Sequence, residues 1–145
     1  MKDNPQIIAI LRGITPDEAV PHIACLLEHG INRVEITTNS PEWEASLHRV
    51  RQRFGADIQL GVGTVTSGDH LRRSVAAGAD FILTPNLNPQ LIIQAKEQGL
   101  FVCAGVFTPG EIFTAVDSGA DVVKIFPACA LPRNYPQLIK GPLSQ

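Results

Sequence analysis

The chain has 145 residues, of which 44% are hydrophobic and 18% charged, with a formal net charge of −2. That size suits one domain, spanning 1–145, with a sizeable core. With no basic run and no acidic tail, electrostatic attraction to nucleic acid or to a membrane surface is excluded as the basis of function.

The N-terminal MKDNPQIIAILRG carries only a strand's length of apolar residues, and no stretch approaches the ~18 needed for a membrane span. Cytoplasm is the expected compartment. Cys25, Cys103 and Cys129 are an odd number without C-x-x-C spacing, which points to reduced, structural thiols. Neither a disulfide framework nor a zinc site is expected.

A first strand is predicted near 7–11, ending at Arg12. Thr15-Pro16 then pairs an N-cap residue with proline at the first helical position, and Thr15…Glu18 has capping-box spacing. The helix runs over 16–29, with Val20, Ile23, Ala24 and Leu27 on one apolar face. Gly30 ends it, since glycine accepts the left-handed conformation of a C-cap.

The unit then repeats every twenty residues or so. Strand 33–37 leads through Ser40-Pro41 to helix 41–54 and Gly55. Strand 58–63 precedes helix 67–77 and Gly78, and strand 81–84 leads through Asn88-Pro89 to helix 89–98 and Gly99. Strand 101–104, Thr108-Pro109, helix 109–118 and Gly119 follow, then strand 122–126 and a short helix near 134–140. Strands alternating with helices imply parallel pairing through right-handed crossovers. Two architectures fit, an open doubly wound sheet and a TIM-type (β/α) barrel.

Side-chain alternation separates them. In RVEIT, Val34 and Ile36 share one face, while Arg33, Glu35 and Thr37 share the other. In VVKIF, Val123 and Ile125 share one, while Val122, Lys124 and Phe126 share the other. If helices cover the aliphatic faces, Glu35 and Lys124 both point away from them. An open sheet has helices on both faces, so the barrel is favoured, with Glu35 and Lys124 inside it.

A lysine in an apolar strand has two readings. One is a buried ion pair with Glu35. The other is a Schiff-base nucleophile, because apolar surroundings favour the free amine that attacks carbonyls, with Glu35 as the proton carrier. Arg12 and Thr64 close the first and third strands at the C-terminal ends, where barrel active sites are built. GVGT (61–64) lacks the spacing of a phosphate loop; its glycines are read as room for a substrate or a neighbouring strand. His22, His29, His48 and His70 are read as surface or capping residues, and Trp43 as core.

The ordered series IAILRGITPDEA (8–19), VEITTNSP (34–41), GVGTV (61–65), LTPN (83–86), VCAG (102–105) and VKIFPA (123–128) covers nearly the whole chain. It resembles the class I 2-keto-3-deoxy-6-phosphogluconate / 2-dehydro-3-deoxy-6-phosphogalactonate aldolases. The resemblance implies a TIM-type barrel that cleaves a phosphorylated keto-deoxy sugar acid to pyruvate and glyceraldehyde 3-phosphate. It implies Lys124 as the Schiff-base lysine, Glu35 as acid/base, Arg12 and Thr64 as substrate contacts, and Pro85 and Phe126 as pocket lining. No metal or organic cofactor is implied, and a homotrimer is.

Three departures stand out. Asn39 occupies the place of the gluconate branch's arginine, which favours the galactonate branch. Cys103-Ala104-Gly105 replaces the family's usual C-P-G. The residues supply about six of eight βα units and end at KGPLSQ, so a C-terminally truncated member is expected. The rivals are an inactive fragment surviving as an interaction remnant and an open-sheet binding domain.

Overall fold

A computed structural model describes residues 7–141. The last four residues of KGPLSQ and the first six of the chain lie outside it. Its elements are β1 (Ala9–Leu11), α1 (Pro16–Glu28), β2 (Arg33–Thr37), α2 (Trp43–Phe54), β3 (Gln59–Gly63) and α3 (Gly68–Ala76). They continue through β4 (Phe81–Leu83), α4 (Pro89–Glu97), β5 (Phe101–Val106), α5 (Pro109–Asp117), β6 (Val122–Ile125) and α6 (Tyr135–Lys140). Short 3-10 turns at Gly55–Asp57 and Ala128–Ala130 complete the order.

The strands form one parallel sheet in the order β1-β2-β3-β4-β5-β6. A strictly sequential order has no reversal point, so right-handed crossovers place every helix on one face. The doubly wound alternative needs such a reversal, and the sheet lacks it.

The core lies between that face and the helices. Val34, Ile36, Leu60, Val62, Ile82 and Val102 point into it without exposure, against Ile23, Leu47 and Ile92 of the helices. Burying each such side chain stabilises the fold by about 1.5–3 kcal/mol before the cost of chain ordering. No helix among the described residues is long and apolar enough to cross a membrane.

The opposite face curls. Ile8, just before β1, packs on Phe81, Leu83 and Cys103 of β4 and β5. In a flat sheet β1 and β4 would stand about 14 Å apart, at roughly 4.8 Å per strand.

Local punctuation follows the sequence at most junctions. Thr108 caps α5 reciprocally: the Glu111 N–H donates to its hydroxyl and its own N–H to the Glu111 carboxylate. Asn88 accepts from the Leu91 N–H at the start of α4. Gly30 leaves α1 with φ +77°, closing it with bonds from Gly30 N to Leu27 O and Ile31 N to Leu26 O.

Ser40-Pro41 is a correction. α2 begins at Trp43 with Glu42, at φ +45°, before it. Ser40 instead folds back, its N–H donating to Thr37 O and its buried hydroxyl bonding the Thr37 hydroxyl. Its partners lie in β2 and after β1, so it serves a junction between strands.

The repeat also carries a polar clamp that residue types alone do not announce. Asp80, just before β4, accepts from the Leu60 N–H of β3 and from Arg51 of α2. Asp121, just before β6, accepts from the Val102 N–H of β5 and from Lys96 of α4. Each aspartate thus ties a strand start to the preceding strand and to the helix that leads into that preceding strand.

Candidate active site

Glu35 sits in mid-β2 between Ile10 of β1 and Gly61 of β3. Its alternation turns it away from the helices, and it is 1% exposed. Two glycines on β3 make this possible. A Cβ at Gly63 would lie 2.6 Å from Glu35 Oε1, so the carboxyl rests directly on the Gly63 backbone. A Cβ at Gly61 would meet the Phe81 ring at 2.1 Å, so that ring fills the neighbouring space. GVG is therefore packing room for two side chains rather than a phosphate cradle.

Burial pushes the Glu35 carboxyl above its ordinary value, opposed by the positive charges of Lys124 and Arg12. Among the described residues its Oε2 has no hydrogen-bond partner, an unusual state for a buried polar atom and one that calls for an explanation.

Lys124 lies in β6 beside Gly105 of β5, half-buried, with its Nζ 5.1 Å from the centroid of the Phe126 ring. Four strand spacings separate β2 from β6, about 19 Å in a flat sheet. Strand parity nevertheless puts both on the helix-free face, and the Lys124 charge opposes the effect of burial on the Glu35 carboxyl. The curl marked by Ile8 turns both side chains toward the same concave face. No ion pair joins them among the described residues, so the static salt-bridge reading of Lys124 has no contact behind it.

The other expected residues ring the same end. Arg12 follows β1, exposed, and its Nη1 donates to Asn39 Oδ1 at 3.1 Å. Thr64 follows β3 at φ +59°, where its carbonyl accepts from the Thr38 hydroxyl. Pro85 follows β4 over Gly105, whose missing side chain leaves 2.4 Å between a hypothetical Cβ and the Pro85 carbonyl carbon. Buried Thr84 fixes that crossing: its hydroxyl donates to Asn86 O and accepts from the Gly105 N–H. Phe126 follows β6 and is 49% exposed. Arg12, Thr64, Pro85 and Phe126 thus follow the C-terminal ends of their strands, while Glu35 and Lys124 lie within theirs on the concave face.

Cys103 belongs to the same concave face and was not foreseen there. Burial pushes its thiol up to about 11, with Lys124 pulling down and Glu35 pushing up. It is a protonated, inert filler beside Phe81 and Leu83. Ala104, at the family's proline position, is buried on the helix face beside Val123.

A cavity of about 750 Å³ opens elsewhere, among Arg33, Gln59, Phe81, Phe101 and Val122. These residues begin their strands, so it lies at the far end from Arg12 and Thr64 and is not the chemical site.

The sequence profile of the family "Aldolase: KDPG and KHG aldolase" matches residues 1–142. The chain belongs to the KDPG and KHG aldolase family. It is 39% identical over 137 residues to a 2-dehydro-3-deoxy-6-phosphogalactonate aldolase of Escherichia coli K12, covering 94% of this chain and 67% of that one. It is 36% identical over 125 residues to a probable 2-dehydro-3-deoxy-6-phosphogalactonate aldolase of Rhizobium meliloti, covering 86% and 59%.

Among solved structures, native KDPGal superposes with a TM-score of 0.91 at 38% identity, over 99% of this chain and 70% of that one. A KDPG aldolase of Legionella pneumophila superposes at 0.89 and 26% identity, over 97% and 68%. That protein was captured at low pH with pyruvate as a covalent carbinolamine intermediate. The chain therefore spans about two thirds or less of the length of its curated relatives.

Proposed function

We propose that this chain carries the chemistry of a class I aldolase acting on a 2-keto-3-deoxy-6-phospho sugar acid. The observation that carries the reading is that Glu35 and Lys124 share the helix-free face and interact electrostatically, with one buried Glu35 oxygen left without a hydrogen-bond partner among the described residues.

The Lys124 amine adds to the C2 carbonyl to give a carbinolamine, which loses water to become an iminium. A base takes the proton from the C4 hydroxyl, the C3–C4 bond breaks, and its electron pair moves into the iminium as an enamine. Glyceraldehyde 3-phosphate leaves. The enamine takes a proton at C3, and water returns to C2 to release pyruvate and the amine. Glu35 is the group placed to carry these protons. Burial holds its carboxyl above the ordinary value, which makes it a better proton acceptor than an exposed carboxylate while it can still return the proton. Arg12 and Thr64 hold the substrate, and Pro85 and Phe126 line its pocket.

The galactonate isomer is the favoured substrate, supported by the activity named for the two curated relatives and by Asn39. In this reading the six strands are about six of the eight units of a barrel in one domain, acting in a cytoplasmic homo-oligomer such as a trimer. No metal or organic cofactor takes part, because the iminium is the electron sink.

The test is pyruvate release by the purified chain from each 6-phosphorylated isomer. Cleavage of the galactonate isomer with the higher kcat/KM supports the reading; no cleavage of either by a folded sample contradicts it. A second reading, an inactive interaction remnant, draws on the apolar groove of about 310 Å³ beside β6, lined by Ile112, Val116, Val123, Ile125 and Ile139. Absence of turnover together with pairing of β6 to another chain would favour it.

A further inference from the structure

Thr64 and Glu42 are the non-glycine residues at positive φ among those described. Glu42 lies at an exposed helix start, but Thr64 is β-branched, and for such residues the left-handed region is a real outlier. A strained backbone persists only where its surroundings over-determine it, and such places gather at functional sites. Thr64 adjoins Gly63, on which the Glu35 carboxyl rests. Something must hold the turn.

Its restraints come from both neighbouring strands. The Thr38 hydroxyl donates to Thr64 O at 2.7 Å, and the Thr38 N–H donates to Gly63 O at 2.9 Å. On the far side the Val65 N–H donates to Leu83 O at 3.1 Å. The next two residues after Thr38 reach the other way. Asn39 Oδ1 accepts from Arg12 Nη1, and Ser40 Oγ accepts from the Gly13 N–H at 2.9 Å.

We propose that the tripeptide Thr38-Asn39-Ser40 is a splint across the ends of β1, β2 and β3 that positions both substrate contacts, Thr64 through the Thr38 hydroxyl and Arg12 through the Asn39 amide. This rests on the aldolase reading of Arg12 and Thr64. Thr38 and Asn39 are positioning residues, acting through their neighbours. Their loss loosens substrate binding and leaves the bond-making groups on β2 and β6 in place.

Steady-state kinetics on the phosphorylated keto acid separates this from a merely structural role. Thr38→Val keeps the shape and removes the donor, and Asn39→Ala removes the acceptor. Each raises KM about tenfold, the loss of roughly one positioned hydrogen bond, and leaves kcat within about twofold. Thr38→Ser restores the donor and the wild-type KM. An unchanged KM in Thr38→Val, or a fall in kcat alone, overturns the splint.

A second measurement does not depend on turnover. Backbone NMR shifts of Thr64 in Thr38→Val report the sign of its φ, and the splint requires that it leave the positive region. If the wild-type chain turns nothing over, the aldolase reading fails and this measurement alone decides. Unchanged Thr64 shifts overturn the splint, and altered ones uphold its mechanical half.

Discussion

Replacing Gly63 with alanine puts a methyl group where the Glu35 carboxyl lies. The new Cβ would stand 2.6 Å from Oε1, 2.7 Å from Cδ and 3.0 Å from Oε2, whereas carbon atoms in contact prefer about 3.5–4.0 Å. The deficit is about 1 Å, and Glu35, 1% exposed, has no solvent to swing into. Overpacking of this kind costs about 1–3 kcal/mol, a fall in Tm of about 2–10 °C for a chain this long. A 1 Å misplacement of a reacting group can cost about a hundredfold in rate. Gly63→Ala should therefore keep the far-ultraviolet circular dichroism, melt a few degrees early and lose about two decades of kcat. Wild-type kcat with an unchanged Tm would refute the packing of Glu35 on Gly63 and its role together.

Gly105→Ala should be worse, because its methyl would meet backbone of Thr84, Pro85 and Asn86 at 2.4–2.6 Å rather than a side chain; a larger drop in Tm than for Gly63→Ala is the check. Gly110→Ala, with open space around it at the start of α5, should raise stability by about 0.5–1 kcal/mol in chemical denaturation. Burial raises the Glu35 carboxyl above its ordinary 4.5, outweighing Lys124 and Arg12, so its native form favours the proton. Its contribution to stability is full below that ordinary value and is lost as pH rises through the raised one. Glu35→Gln should therefore gain stability relative to wild type as the pH climbs past 4.5, and a gap that shrinks over that range would contradict the sign. Desolvation pushes the Asp121 carboxyl up, but the bonds from Lys96 and the Val102 N–H win and hold it below 3.8. Its stabilisation is present above that value and fades as pH falls through the lowered one; Asp121→Asn should cost about 1–2 kcal/mol at neutral pH and progressively less in acid.

Period and punctuation made the architecture legible. Alternation in RVEIT and VVKIF assigned Glu35 and Lys124 to one face, and the sheet keeps that assignment because strand parity survives any curvature. Thr15, Asn88 and Thr108 precede their helices as read, since a cap and the proline after it act within one turn. Ser40-Pro41 has the same letters and a different outcome, because Ser40 bonds Thr37 and Gly13 across strand ends. No local pattern records such partners. The same limit hid the Glu35–Gly63 contact, the Thr38–Thr64 bond and the interior position of Cys103. Asp80 and Asp121 left a trace, the repeated Gly-Ala-Asp before β4 and β6, but its meaning lies in Leu60 and Val102, about twenty residues earlier.

The central claim is that Lys124 forms a covalent imine with a keto acid on the concave face. Incubating the chain with pyruvate and borohydride, then mapping the modified peptide by mass spectrometry, tests it most directly. One reduced pyruvate is expected on the peptide carrying Lys124, absent from Lys124→Arg and retained in Glu35→Gln, where turnover falls much further than trapping. An adduct on another lysine, or none in a folded sample, would contradict it.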